Sequence, residues 1–200
     1  MNSFDFKSLE KRERAKFINS LSGFKSANLV GTKSNKGQTN LSIISSAFHL
    51  GANPALIGFI IRPDTIARHT LNNIRENMFS TLNHVTKEIY QRAHQSSARY
   101  PEDVSEFNAC GLTEIFHEDF LAPFVKESPI ALSLKLIEEV PIKHNGTHLL
   151  INEIQNVYLS DSLVEKDGHV DIEKAGTICV SGLDSYHETN LLERLPYAKP

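Results

Sequence analysis

Residues 130–159 read IALSLKLIEEVPIKHNGTHLLINEIQNVYL, two runs of strand length on either side of His144-Asn145-Gly146. Asn-Gly accepts the positive φ angles of a tight turn, and apolar residues recur on both sides of it, so the stretch predicts one long antiparallel hairpin. Working outward, residues 27–32 read as a strand, Ser34-Asn35-Lys36-Gly37 as a turn and residues 39–44 as the returning strand. Residues 55–61 form a continuous apolar run between Pro54 and Arg62-Pro63, the pattern of a strand buried on both faces. Phe48 and Phe59 read as core residues at strand spacing.

Helical signals are fewer. Leu9, Phe17, Ile18 and Leu21 place one apolar stripe on a short helix that Gly23 stops. Residues 64–77 read as a helix with Ile66, Leu71 and Ile74 on its buried side, 78–85 as a strand, and 86–93 as a helix capped by Thr86. The Tyr100-Pro101 step makes 95–117 irregular or briefly helical, pinned by Phe107, Leu112 and Ile115. An Asp167-Gly168 turn, a strand over 177–180 and a polar tail from Gly182 complete the chain. Early and late hairpins with little helix predict a mainly β class, a closed or nearly closed antiparallel barrel with peripheral helices. A parallel α/β sheet would need strands and helices to alternate, which the second half does not do.

The 200 residues suit one domain, with 1–24 as a helical extension and 25–200 as the barrel. Apolar runs are too short to cross a bilayer, and the charged N-terminus does not resemble a signal peptide, so no membrane association is expected. Cys110 and Cys179 stand alone, which fits a reducing cytoplasm and offers neither a disulfide framework nor a zinc site.

Net charge is −3, against a binder of nucleic acid that relies on overall electrostatics. Its distribution is uneven. Between residues 25 and 75, Lys25, Lys33, Lys36, Arg62, Arg68 and Arg75 face the single acid Asp64, whereas residues 101–171 carry fourteen acids against four lysines. The basic segment is rich in hydroxyls and amides, which suits a small anion; a solvated basic face explains the composition equally well.

Glycine-rich nucleotide fingerprints, phosphate loops, His-Glu-x-x-His and Gly-x-Ser-x-Gly are all absent from the sequence, and the nine histidines lack metal-ligand spacing, so no metal is expected. What remains is a combination. Hydroxyl and amide side chains crowd residues 39–46, and Arg62-Pro63 and Arg68-His69-Thr70 follow a buried strand where cationic groups and backbone N–H groups can meet a phosphate. A polar barrel rim with capped turns is the alternative.

The order of these pieces resembles the flavin reductase-like FMN-binding split-barrel family. The matching elements are Gly37-Gln38-Thr39-Asn40 leading into Ser45-Ser46-Ala47-Phe48, Asn53-Pro54-Ala55-Leu56-Ile57-Gly58-Phe59, Thr70 four residues before Ile74, and Phe79 with Asn83. Further matches are Ala93-His94-Gln95-Ser96-Ser97, His148 before Ile151-Asn152-Glu153, and Gly182-Leu183-Asp184-Ser185-Tyr186. Asn152 departs from the more usual glycine, and 95–106 varies the family's Gly/Ser-rich segment. The resemblance implies a Greek-key antiparallel split barrel, a homodimer, FMN or FAD as cofactor and NADH or NADPH as electron donor. It leaves open whether a partner oxygenase consumes the reduced flavin. It implies phosphate contacts from Arg62, His69, Thr70, His94 and Ser97, ribityl and ring-edge contacts from Asn40, Ser42, Ser45 and Ser46, and a further contact from Asn83. His148 and Tyr186 match positions that approach the flavin or nicotinamide, although hydride transfer needs no protein acid or base and His148 also reads as a strand histidine filling the barrel mouth. An NAD(P)H-dependent flavin reductase is the leading expectation; a flavin-binding electron carrier or store without nicotinamide turnover is the alternative.

Overall fold

The computed structural model describes residues 3–65, 68–117 and 119–199. In chain order the elements are α1 (Lys11–Leu21), β1 (Lys25–Ser26), β2 (Asn28–Lys33), β3 (Thr39–Ile44), β4 (Phe48–Ala52), β5 (Ala55–Ile61), α2 (His69–Asn77) and β6 (Phe79–His84). There follow α3 (Tyr90–Gln95), α4 (Glu106–Cys110), β7 (Glu114–Ile115), β8 (Phe124–Val125), β9 (Ile130–Ile142), β10 (Thr147–Leu159), β11 (Cys179–Ser181) and β12 (Ser185–His187). The long hairpin forms with the expected bounds. Its turn carries Gly146 at φ +72°, a conformation that a Cβ would strain.

Seven strands make one antiparallel sheet in the order β3-β2-β6-β9-β10-β5-β4. The sheet curls until β3's end meets β5, and there a side chain replaces the backbone ladder. Ser46 Oγ donates to the carbonyl of Ile60 at 3.1 Å and accepts from the Ile60 N–H at 3.0 Å, bridging the open seam. Alternation along β2 sends Val30 to one face and Leu29 to the other, and each face has its own core. Val30, Phe59, Leu82, Leu134 and Leu150 pack the barrel interior with Leu71 and Ile74 from α2. Leu29 and Leu41 instead meet Ile89 and Ala93 beside α3 and Phe107 and Cys110 of α4. Full burial of each such side chain stabilises the fold by about 1.5–3 kcal/mol.

A second sheet, β1-β11-β12, folds the end of the chain back beside α3. Asn152, fully buried, sits where the β9–β10 register shifts; its Nδ2 donates to the Leu150 carbonyl, and its Oδ1 has no partner among the described residues.

Four local expectations change. α2 begins at His69 rather than at residue 64, because the Asp64 carboxylate is paired with Arg75 and His148. Ile66, expected on its buried side, lies outside the described residues. Thr86 does not cap α3; it makes a bridge with Thr177, and Ile89 stands at the cap position. Phe59 is fully buried, but Phe48 lies on β4, an edge strand absent from the sequence reading, and is 41% exposed against Gly58. Finally, α1 forms without burying any residue, so its apolar stripe does not pack on the barrel.

Candidate functional site

A cleft of about 770 Å³ opens between the β3–β5 seam, the start of α2, the segment after α3 and the second sheet. Its polar wall is set by β3. Alternation turns Asn40 and Ser42 to the same side, and Thr70 in the first turn of α2 meets both. Asn40 Nδ2 donates to Thr70 Oγ1 at 2.9 Å, and Ser42 Oγ lies 2.9 Å from the same atom. Asn40 and Thr70 are buried and Ser42 half-buried, so the trio is a pre-organised hydroxyl and amide patch.

Three guanidiniums line the same cleft: Arg62 at the end of β5, Arg68 before α2 and Arg99 after α3. Among the described residues none of them forms an ion pair, although Arg68 Nε donates to the Pro63 carbonyl at 3.0 Å. Burial, followed by the nearby charges of Arg62 and Arg99, holds Arg68 below the ordinary guanidinium range. Like charges brought together with no carboxylate paired to any of them among the described residues leave an unmet demand for an anion.

At the opposite wall His94 Nδ1 lies 2.9 Å from Tyr186 Oη, and the Tyr186 ring packs against Tyr90 at 5.4 Å. Burial, with Asp184 adding to it, pushes the Tyr186 phenol up to about 12, so it is neutral at physiological pH. The buried carboxylate of the cleft is Glu106, whose Oε2 accepts from the Leu41 N–H at 3.0 Å. Burial raises its affinity for a proton, while the hydrogen bond from Leu41 opposes that.

Of the residues singled out in the sequence, Asn40, Ser42, Ser45, Ser46, Arg62, His69, Thr70, His94, Ser97 and Tyr186 converge on this cleft. The hydroxyl of Ser46 is already engaged at the seam. Two residues lie elsewhere. Asn83 is fully buried, donates to the Leu29 carbonyl and Thr81 Oγ1, and accepts from the Val125 N–H, so its polar atoms are occupied by strand pairing. His148 lies on β10 outside the cleft wall, among Asp64, Arg75 and Glu139. Arg68, Arg99, Tyr100 and Glu106 line the cleft without having been singled out as site residues. Arg68 was visible beside His69-Thr70, but no local pattern marks Arg99 or Glu106.

The family model for the flavin reductase like domain matches residues 22–181, from the strand that opens the second sheet through the one at its centre. The chain belongs to the flavin reductase-like family. Its split barrel superposes with TM-score 0.95 on a candidate flavin reductase with a split barrel domain from Shewanella frigidimarina NCIMB 400. The two are 52% identical, over 99% of this chain and 100% of that one. Flavoredoxin of Desulfovibrio vulgaris (Miyazaki F) is 25% identical with TM-score 0.76, over 88% of this flavin reductase-like chain and 92% of its own. An uncharacterized protein of Halalkalibacterium halodurans is 29% identical over 174 residues, 82% of this chain and 83% of the relative. A flavin-related oxidoreductase role follows from the family.

Proposed function

We propose that the cleft binds FMN and that the protein is an NAD(P)H-dependent flavin reductase, working as a cytoplasmic homodimer. The observation that carries this reading is the convergence of Arg62, Arg68 and Arg99, without carboxylate partners, beside the Asn40–Ser42–Thr70 patch. A phosphate dianion fits the guanidinium end, with Ser97 and His94 as further donors. The hydroxyl and amide patch, with Ser45, fits a polyol chain and a polar ring edge. When bound, the flavin supplies the hydride-accepting chemistry. The chain's own residues bind the anion, orient the polar edge and exclude water; no acid or base is required of them. Tyr186, held as a neutral phenol against His94, adds no negative charge to a site meant for an anion.

The test is the visible spectrum of the purified protein, followed by anaerobic addition of NADH or NADPH with excess FMN. Bleaching of the flavin absorbance is expected. A protein that takes up FMN but leaves it oxidised would instead be an electron carrier or flavin store, a second reading favoured by the likeness to a flavoredoxin. A colourless preparation that also fails to take up FMN would overturn both readings.

A further inference from the structure

His148 matched a flavin-approaching position in the sequence, yet its side chain lies outside the cleft lining, in a polar network whose Asp64 and Arg75 are exposed. It is 8% exposed on β10. Its Nδ1 lies 2.7 Å from Glu139 Oε1 on β9, and its Nε2 lies 3.5 Å from Asp64 Oδ1 in the segment after β5. Arg75 on α2 reaches the same two carboxylates. Its Nε is 2.9 Å and its Nη2 2.5 Å from Glu139, and its Nη1 is 3.2 Å from Asp64. Ile61, the strand partner of His148 on β5, adds no charge. Each carboxylate is therefore shared between one imidazole and one guanidinium.

Asp64 connects this network to the cleft. It follows Pro63, whose carbonyl holds the Arg68 guanidinium, and Pro63 follows Arg62. The hairpin turn backs the same segment, since a Cβ placed on Gly146 would touch Pro63 at 3.6 Å. Resting on the flavin reading above, we propose that His148 is a positioning residue: anchored by Glu139, it clamps Asp64 and so fixes the Arg62–Pro63 segment that presents Arg62 and Arg68 to the ligand's phosphate. The clamp depends on protonation. A neutral imidazole donates through one nitrogen only, so it serves one carboxylate, whereas an imidazolium donates to both. The charge count agrees, because two carboxylates face one guanidinium until the imidazole becomes the second cation. With one carboxylate at each ring nitrogen, the clamp is expected to tighten on acidification.

The experiment compares FMN with riboflavin, which lacks the phosphate, by fluorescence quenching on the wild type, His148→Gln, Asp64→Asn and the double variant. Melting curves are run in parallel to show that each variant folds. At pH 6 His148→Gln is expected to weaken FMN about tenfold and riboflavin less than about twofold, as loosening of the charge-assisted contacts that Arg62 and Arg68 make to the phosphate requires. The wild-type to variant ratio for FMN should shrink as the pH is raised, a comparison in which the ligand's own phosphate ionisation cancels. Asp64→Asn should give the same loss, and the double variant little more, because both act through one contact. Equal losses for FMN and riboflavin, a ratio independent of pH, or additive losses would each overturn the proposal. Should the wild type bind neither flavin, the flavin reading falls, and inorganic pyrophosphate titrated by calorimetry decides the clamp alone. Weaker binding by His148→Gln supports it; equal binding, or none by the wild type, overturns it.

Discussion

Thr70 has hydrogen-bonding neighbours on two sides, Asn40 and Ser42, and that local order makes the cleft wall a surface rather than a set of loose polar groups. Opposite charge requirements operate at its other end. Arg99 lies in an exposed stretch beyond α3 and forms no ion pair among the described residues, so its removal should be felt by an anionic ligand and not by the fold. Arg99→Ala is expected to weaken FMN binding by about 1.5–3 kcal/mol, the range for hydrogen bonds to charged groups, with an unchanged melting temperature. Calorimetric titration checks this, and the loss should diminish at high salt. His84 behaves oppositely, because it is a histidine kept neutral. Burial pushes its imidazole down to about 4, and its Nδ1 lies 3.1 Å from Thr177 Oγ1. Between that value and the ordinary histidine value of about 6.5 the unfolded chain binds the extra proton, so stability rises with pH across this window and is lost as pH falls through it. The expected loss is roughly 3 kcal/mol by pH 4, and His84→Asn should flatten that part of the stability profile measured by denaturant unfolding.

At the scale of elements, the two hairpins were legible because their cues are local. Alternation and turn chemistry lie within thirty residues for β9–β10 and within seventeen for β2–β3. The start of α2 was not, since the carboxylate of Asp64 is drawn away by Arg75, eleven residues on, and by His148 on a distant strand. Thr86 was misread for the same reason, as its bridge partner Thr177 is far along the chain. Close approach of elements also has a testable residue. A Cβ on Gly31 of β2 would lie 2.2 Å from the Pro123 carbonyl oxygen and 2.6 Å from Thr81 Oγ1. Backbone cannot retreat as a flexible side chain would, so Gly31→Ala is expected to cost about 1–3 kcal/mol, as overpacking does, or to abolish folding. Urea unfolding measures it. The nearest atoms to a Cβ on Gly58 are the side-chain ends of Phe48 and Leu50, and the same substitution there should be milder.

For the whole molecule, the apolar surface is distributed unevenly. Phe4, Leu21 and Phe24 at one end of the chain, and Leu191, Leu192, Leu195 and Tyr197 at the other, are the most exposed large hydrophobics among the described residues. The proposed homodimer would give such surface a place to be buried. Light scattering is expected to report twice the 22.4 kDa chain mass, with or without added FMN. A monomer with FMN bound would contradict the dimer.

Amino-acid order alone determined the two hairpins, the turns that join their strands and which combination of polar residues marks the family, because alternation, turn chemistry and the motifs around Asn40, Thr70 and His94 are each local. Tertiary structure decided the rest. Closure of the sheet through Ser46 brought β3 and β5 together, and the return of the chain as β11 and β12 set Tyr186 against His94. It gathered Arg62, Arg68 and Arg99 into one cleft and drew His148 away from it into a network with Asp64, Arg75 and Glu139. Long-range pairing chooses among partners that no local window contains, and charge finds its partner by distance in space rather than along the chain.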